Sequence, residues 1–158
     1  MLTEQTDDDQ KQVEDGRLAD LLSELRVMLA GAQMLTAFLI LLPFNDSFEE
    51  IVQFEKYVFL ATFFLAVSSI VLLSAPAIQH RIMNPLPDRR AFKRMAIRHL
   101  VAGGISMALA FVLATDLVMW HVFGAAPGVV AALVIAVLIL CLWLLLPLYL
   151  RRRARSPA

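Results

Sequence analysis

The stretch 57–80, YVFLATFFLAVSSIVLLSAPAIQH, contains no Asp, Glu, Lys or Arg and decides the fold of this chain. At about 1.5 Å per residue, an α-helix of this length crosses a hydrocarbon layer about 30 Å thick. Apolar residues occupy every side of a helix over 57–75, so the stretch lacks the polar face of a helix on a soluble protein. It therefore predicts a transmembrane helix.

Three further runs share this freedom from charge: 27–45, 99–115 and 117–150. Apolar residues make up 59% of the 158 residues, above the roughly 45–50% of soluble domains. A chain this short cannot bury four such helices beneath other protein, so lipid must cover them. The sequence predicts an all-α fold, a four-helix transmembrane bundle with spans at about 25–44, 57–75, 97–120 and 128–150.

The charged residues between the spans predict the orientation. The link after the first span is acidic, whereas the link at 81–98 and the tail at 151–158 are rich in arginine. Lysine and arginine in short loops mark the cytoplasmic side of a membrane. Both termini are therefore expected in the cytoplasm, with the links at 45–56 and 120–127 outside.

The chain before the first span divides into two parts. Residues 1–16 are acidic and without apolar periodicity, which predicts a disordered cytoplasmic tail. From about Arg17, leucines recur at helical spacing, which predicts an amphipathic extension at the inner interface that runs into the first span. The membrane domain is thus expected over 17–150, with a basic cytoplasmic tail at 151–158.

Six candidate functional residues converge at the predicted cytoplasmic side, where three spans begin or end. A pair between Glu24 and Arg81 or Arg98 is plausible there, and the two histidines could titrate near neutral pH. The alternative is that the arginines extend to phospholipid headgroups. The six residues are Glu24, Arg26, His80, Arg81, Arg98 and His99.

Two further polar residues lie within the spans, where burying a polar group is expensive. Asp116 is expected near the outer boundary, either as an ion-coupling carboxylate or as a structural partner of Thr115 or His121. Gln33 is more central, and its amide is expected to bond a serine of another helix (Ser68, Ser69 or Ser106) or a neighbouring subunit. Each serine can instead bond its own helix backbone.

Small residues and prolines predict local features of the bundle. Gly104 and Ala108 are four residues apart, as are Gly128, Ala132 and Ala136, so spans three and four are expected to pack as an antiparallel hairpin. Pro76 is expected to end span two, and Pro147 to kink the end of span four. Asn84-Pro85 and Pro87 predict a turn in the basic link.

Catalytic signatures are missing from the sequence, which contains no nucleophile elbow, phosphate loop or His-x-x-x-His pair. Cys141 is the single cysteine, so it forms neither an intrachain disulfide nor a zinc cluster. We expect no enzyme, no cofactor and no nucleic-acid partner. The basic link and tail are expected to bind anionic lipid headgroups.

Several short motifs resemble a family of small bacterial four-span membrane proteins of uncharacterised function. The resemblance covers roughly residues 20–150 and includes Glu24-Leu25-Arg26-Val27, Leu42-Pro43-Phe44, Ala75-Pro76, His80-Arg81 and Thr115-Asp116. Members are sometimes labelled sodium–proton antiporters by automatic naming. The resemblance implies the four-span fold and the bacterial cytoplasmic membrane, and it supplies no reaction.

Two functional hypotheses follow. The first is a non-enzymatic membrane protein that acts as an oligomer or as an accessory subunit of a larger complex, because four short spans with few polar groups offer little material for a solute pathway. The alternative is a small ion or proton transporter, possibly sodium/proton, which works as an oligomer and uses Asp116, Gln33 and the cytoplasmic cluster.

Overall fold

The computed structural model describes the backbone of residues 2–45, 52–83 and 89–155, and within them the architecture is entirely helical. A π-helical segment at Leu140–Leu145 joins the last two α-helices. A short 3-10 turn at Leu42–Phe44 ends the first α-helix of the chain. The α-helices are α1 (Leu2–Leu41), α2 (Gln53–Ile82), α3 (Arg89–Phe123), α4 (Ala125–Ile139) and α5 (Leu146–Arg155).

The predicted four-span fold is confirmed. Four helices are long and apolar enough to cross a membrane: Ala19–Phe44, Gln53–Ile82, Ala91–Phe123 and Ala125–Ala154. Each exceeds the span predicted for it, because a helix continues past the hydrocarbon for as long as its backbone bonds propagate. The predicted turn at Asn84–Pro87 and the acidic residues Asp46, Glu49 and Glu50 lie outside the described residues.

The segment 1–16, expected to be disordered, is helical from Leu2 onward and continuous with the first span. The amphipathic extension is also present, but its apolar face has a different partner from the one expected. Leu21 and Leu25 are buried in a cluster with Phe92 and Ala96 of α3, so protein covers that face.

The two prolines within spans are both accommodated by a continuing helix. α2 runs through Pro76 to Ile82, so the expectation that this span stops near Pro76 is wrong. The ring is fully buried, and proline has no N–H to donate to the carbonyl of Leu72, four residues earlier. Before Pro147 the helix widens, and the Leu146 N–H bonds the Cys141 carbonyl five residues back.

The core of the molecule is formed by α1, α2 and α3, which meet in two apolar clusters. The first cluster, nearer the predicted cytoplasmic side, joins Ala32 of α1, Leu73 of α2 and Met107 of α3. The second, nearer the opposite side, joins Leu39, Ala66 and Ala110 from the same three helices. Alanines at these meeting points let the helix backbones approach closely, which drives packing where lipid weakens the hydrophobic effect.

The hairpin of α3 and α4 is confirmed. One residue, Gly124, separates the two helices, and its φ of 93° lies in a region that is essentially restricted to glycine. A Cβ on Gly128 would lie 3.0 Å from both Cβ and N of Trp120, so this glycine sits directly against the α3 backbone. Gly104 also faces span four, through Trp143, and its closer neighbour is Met28 of α1.

Candidate functional site

The stretches of α1, α2 and α3 that carry the candidate residues predicted for the cytoplasmic side lie beside one another. The ring of His80, near the end of α2, lies 5.7 Å from the ring of Phe92 on α3. Phe92 belongs to the same cluster as Leu25, which stands between Glu24 and Arg26 on α1. The six candidate residues therefore lie on neighbouring stretches of these three helices.

The charged members of this group are nevertheless separate. Glu24, Arg26, Arg81 and Arg98 are exposed, and within the part of the chain that the structure describes no ion pair joins Glu24 to either arginine. His99 is half-buried, and its Nδ1 lies 2.9 Å from the Met95 carbonyl oxygen of its own helix. The cluster is thus a set of solvated side chains around the helix ends.

One residue that the sequence did not single out adds an unsatisfied group here. Oε1 of Gln79, next to His80, is buried and has no hydrogen-bond partner among the described residues. A buried carbonyl oxygen left unpaired costs about 1–3 kcal/mol, so its position calls for a donor such as water. Gln79 falls inside the charge-free run 57–80. Nothing in the sequence distinguishes a glutamine that is buried there from one that faces lipid.

Gln33 and Asp116 are not brought together. Gln33 is exposed on α1, away from the bundle interior, so its amide does not reach the serines proposed for it within this chain. Asp116 is half-buried on α3. The Thr115 hydroxyl donates 2.8 Å to the Phe111 carbonyl, and His121 is exposed. Neither supplies the structural partner expected for Asp116.

A column of polar residues runs instead along the buried face of α2. Glu55 is only 7% exposed, and Thr62 and Ser69 are fully buried. These three residues and the buried Pro76 recur every seven positions, which places them on one side of the helix. Glu55 makes no hydrogen bond or ion pair among the described residues. We name Glu55, Thr62, Ser69 and Gln79 the α2 column.

The hydroxyls of the column are bonded to their own helix, as expected for isolated serine and threonine. The Thr62 hydroxyl donates 2.7 Å to the Val58 carbonyl, and that of Ser69 donates 3.0 Å to Ala66. On α1, Thr36 is also buried and donates 2.8 Å to Ala32. Thr36 and Ser69 both lie between the two apolar clusters and hence at the same depth in the bundle.

Metal chemistry has no ready site in the described ranges, where no group of three His, Cys, Asp or Glu could hold an ion. Cys141 is a half-buried free thiol on the π-helical segment. The arrangement offers isolated hydrogen-bonding groups along a helix, which suits packing or the relay of a proton.

Comparison with known proteins assigns the chain to a family but gives no activity. A protein-family model, described as a family of unknown function (DUF6328), matches residues 7–147. No curated protein and no solved structure matches the chain. The match agrees with the resemblance to an uncharacterised family and extends further toward the N-terminus than residue 20.

Proposed function

The chain belongs to a family of unknown function, DUF6328, and from that premise we propose that it is a non-enzymatic membrane protein that works by association with other transmembrane helices. The partner is a second copy of the chain or a subunit of a larger complex. The family resemblance supports the bacterial cytoplasmic membrane as its location.

The position of α4 carries this proposal. In the described part of the chain, no backbone other than that of α3 and of its own continuation comes close to α4. None of its most apolar stretch is buried, whereas 33% of the corresponding stretch of α3 is. α4 therefore stands on the outside of the three-helix core, with apolar side chains exposed. A further helix against it would bury surface that the described part of the chain leaves uncovered.

The association is testable by cross-linking along α4. Cysteines at Val130, Val134 and Val137, introduced one at a time with Cys141→Ala, are exposed on the span. These three positions share one face of α4, so we expect disulfide-linked dimers from each of them, and few or none from the matched position Val71→Cys on α2, which is also exposed. The measurement is electrophoresis after mild oxidation in native membranes.

Two outcomes would count against the proposal. If α4 and Val71 positions cross-link equally, the contacts are random collisions in the bilayer. If the protein purified in native lipid has the mass of one chain and carries no second subunit, neither form of association exists.

The proposed orientation, with both termini in the cytoplasm, has its own test. With Cys141 replaced by alanine, a membrane-impermeant thiol reagent added to intact cells should label cysteines at Ser47 and Ala126. Cysteines at Arg90 and Ser156 should react only after the membrane is opened. Labelling of Arg90→Cys in intact cells would show that the orientation is the reverse of the one proposed.

Basic residues at the same end support a contact with anionic lipid. Arg94 and Arg98 are exposed in the first turns of α3, and Arg151, Arg152 and Arg153 are exposed on α5. Near a bilayer surface with anionic lipid, each such charge contributes about 1 kcal/mol of attraction. We propose that these residues hold the inner end of the bundle at the headgroup layer.

A second candidate function, ion or proton transport, is supported by one observation. The α2 column places polar groups inside the bundle over most of the membrane thickness, where alanine or leucine would pack without the cost of desolvation. The residues first expected along such a route, Gln33 and Asp116, do not form a continuous path with it.

A further inference from the structure

We propose that the α2 column is a proton pathway with Glu55 as its outer proton acceptor and Gln79 at its inner end. This inference rests on the transport candidate above and specifies its ion and its route. At about 1.5 Å per residue, the separation of Glu55 and Gln79 along the helix axis is about 36 Å, which exceeds the hydrocarbon thickness.

The interior position of the column is the first step of the argument. Thr62 and Ser69 have no exposed surface, and Ala66 and Leu73, on the same face, belong to the two clusters where α1, α2 and α3 meet. The column therefore faces the axis of the three-helix core. A lipid-facing arrangement would leave these residues exposed, as it does for the neighbouring Ser68.

The chemistry of the hydroxyls is the second step. Each donates its single hydrogen to its own backbone, so its oxygen keeps lone pairs that can accept a proton from a water molecule. Pro76 frees the carbonyl of Leu72, which adds an acceptor between Ser69 and Gln79. Thr36 supplies a second buried hydroxyl at the depth of Ser69.

The two ends of the column differ in their polar groups. Glu55 lies at the outer end and is 7% exposed, while Oε1 of Gln79 at the inner end is buried without a hydrogen-bond partner among the described residues. Among the described residues, the charged groups nearest Glu55 in depth are Lys56 on its own helix and Asp116 and His121 on α3, while the end of α1 (42–45) carries none. The ring of Phe54 on α2 lies 6.2 Å from the ring of Trp120 on α3, which places the start of α2 and the end of α3 at the same depth.

The spacing of the column favours a proton over a metal cation. Glu55, Thr62 and Ser69 follow one another at about 10 Å along the helix and Gln79 follows Ser69 at about 15 Å, so no point of the column gathers oxygen ligands. Hard cations need about six such ligands at one point. A relay needs only one group at each step, with water between them.

The transfer moves one proton across the membrane and leaves the covalent structure of the protein unchanged. An external hydronium ion gives its proton to the Glu55 carboxylate, and the resulting acid releases it to a water molecule in the column. Each following O–H bond breaks as the next one forms, through water and the hydroxyls of Thr62 and Ser69. The proton leaves to cytoplasmic water beside Gln79 and His80, and one positive charge has crossed the membrane.

The test is proton flux in liposomes that contain the full chain, an internal pH-sensitive dye and a potassium diffusion potential set with valinomycin. We expect the wild type to acidify the lumen faster than protein-free liposomes, equally in sodium and in choline buffers. Glu55→Gln and Thr62→Val should each lower the protein-dependent rate at least tenfold. Thr62→Val keeps the shape of the side chain and removes only the hydroxyl.

Matched controls separate the pathway from damage to the fold. Ser69→Ala should lower the flux, while Ser68→Ala, on the exposed neighbour, should not. Asp20→Asn removes an exposed carboxylate and should also leave the flux unchanged. Each variant is compared with the wild type by thermal unfolding and by elution in detergent, so that a misfolded protein is recognised.

The possible failures are distinguishable. If the wild type is no faster than protein-free liposomes, the transport candidate fails together with the pathway. If the wild type conducts while Glu55→Gln is normal and Asp116→Asn is inactive, transport stands and the α2 column is wrong. If flux requires sodium, the assignment of the ion is wrong.

Discussion

Replacing Gly128 with leucine is expected to force α4 away from α3 and to lower the free energy of unfolding by about 3 kcal/mol. The reason is the nature of the neighbouring atoms. A Cβ at this position would meet Trp120 at its N and Cβ, both at 3.0 Å, and at its Cα, at 3.1 Å. Backbone atoms cannot rotate aside, so the only relief is movement of one helix. The connection between α3 and α4 is the single residue Gly124, which restricts how far the two helices can separate.

Thermal or denaturant unfolding in a mild detergent measures this effect. Gly31→Leu is the matched control, because a Cβ on Gly31 would meet nothing within 4 Å. Both variants gain the same intrinsic preference for helix over glycine, about 1 kcal/mol, so their difference reports the packing against Trp120. Equal stability of the two variants would show that α3 and α4 are not in contact at this point.

A second large effect is expected where α2 and α3 come closest. A Cβ on Gly103 would lie 2.8 Å from Cγ and 2.9 Å from Cδ2 of Leu73. Leucine side chains often move to admit a methyl group, but Leu73 is only 1% exposed and has no free space to enter. Gly103→Ala should therefore destabilise the bundle by about 1–3 kcal/mol.

A double-mutant cycle identifies the clash as the cause. Combined with Leu73→Ala, which opens a cavity at the same place, Gly103→Ala should cost much less than it does alone, with a coupling energy of about 0.5–3 kcal/mol. The adjacent Gly104→Ala is the comparison, since its nearest neighbour is the flexible end of Met28 at 3.2 Å. Additive effects of Gly103→Ala and Leu73→Ala would contradict the predicted contact.

The fold was largely predictable because charge decides where a chain can meet lipid. The four charge-free runs correspond to the four apolar helices, and Gly128 was correctly placed in the contact of spans three and four. Helix ends were less predictable. Pro76 reads as a stop, yet a buried proline within a membrane bundle costs only one backbone bond. The helix therefore continues through it.

The candidate site was harder to predict, because burial depends on neighbours that are distant in sequence. Glu55 lies in an acidic link and next to Lys56, so the sequence assigns it to solvent, and only the packing of α2 covers it. Gln33 shows the opposite case, as its central position in a span suggested an interior role and the structure leaves it exposed. Depth follows from counting residues, whereas direction around the helix axis requires the packed bundle.

The π-helical turn ahead of Pro147 offsets the two parts of the last span from one another about the helix axis. A widened turn holds one residue more than an α-helical turn, and one residue corresponds to about 100° of rotation about the axis. Arg151–Arg153 therefore project in a different direction from the one that an unbroken helix would impose on them. The direction of the proposed contact with lipid headgroups is therefore set by this turn as well as by the face on which Gly128 packs against α3.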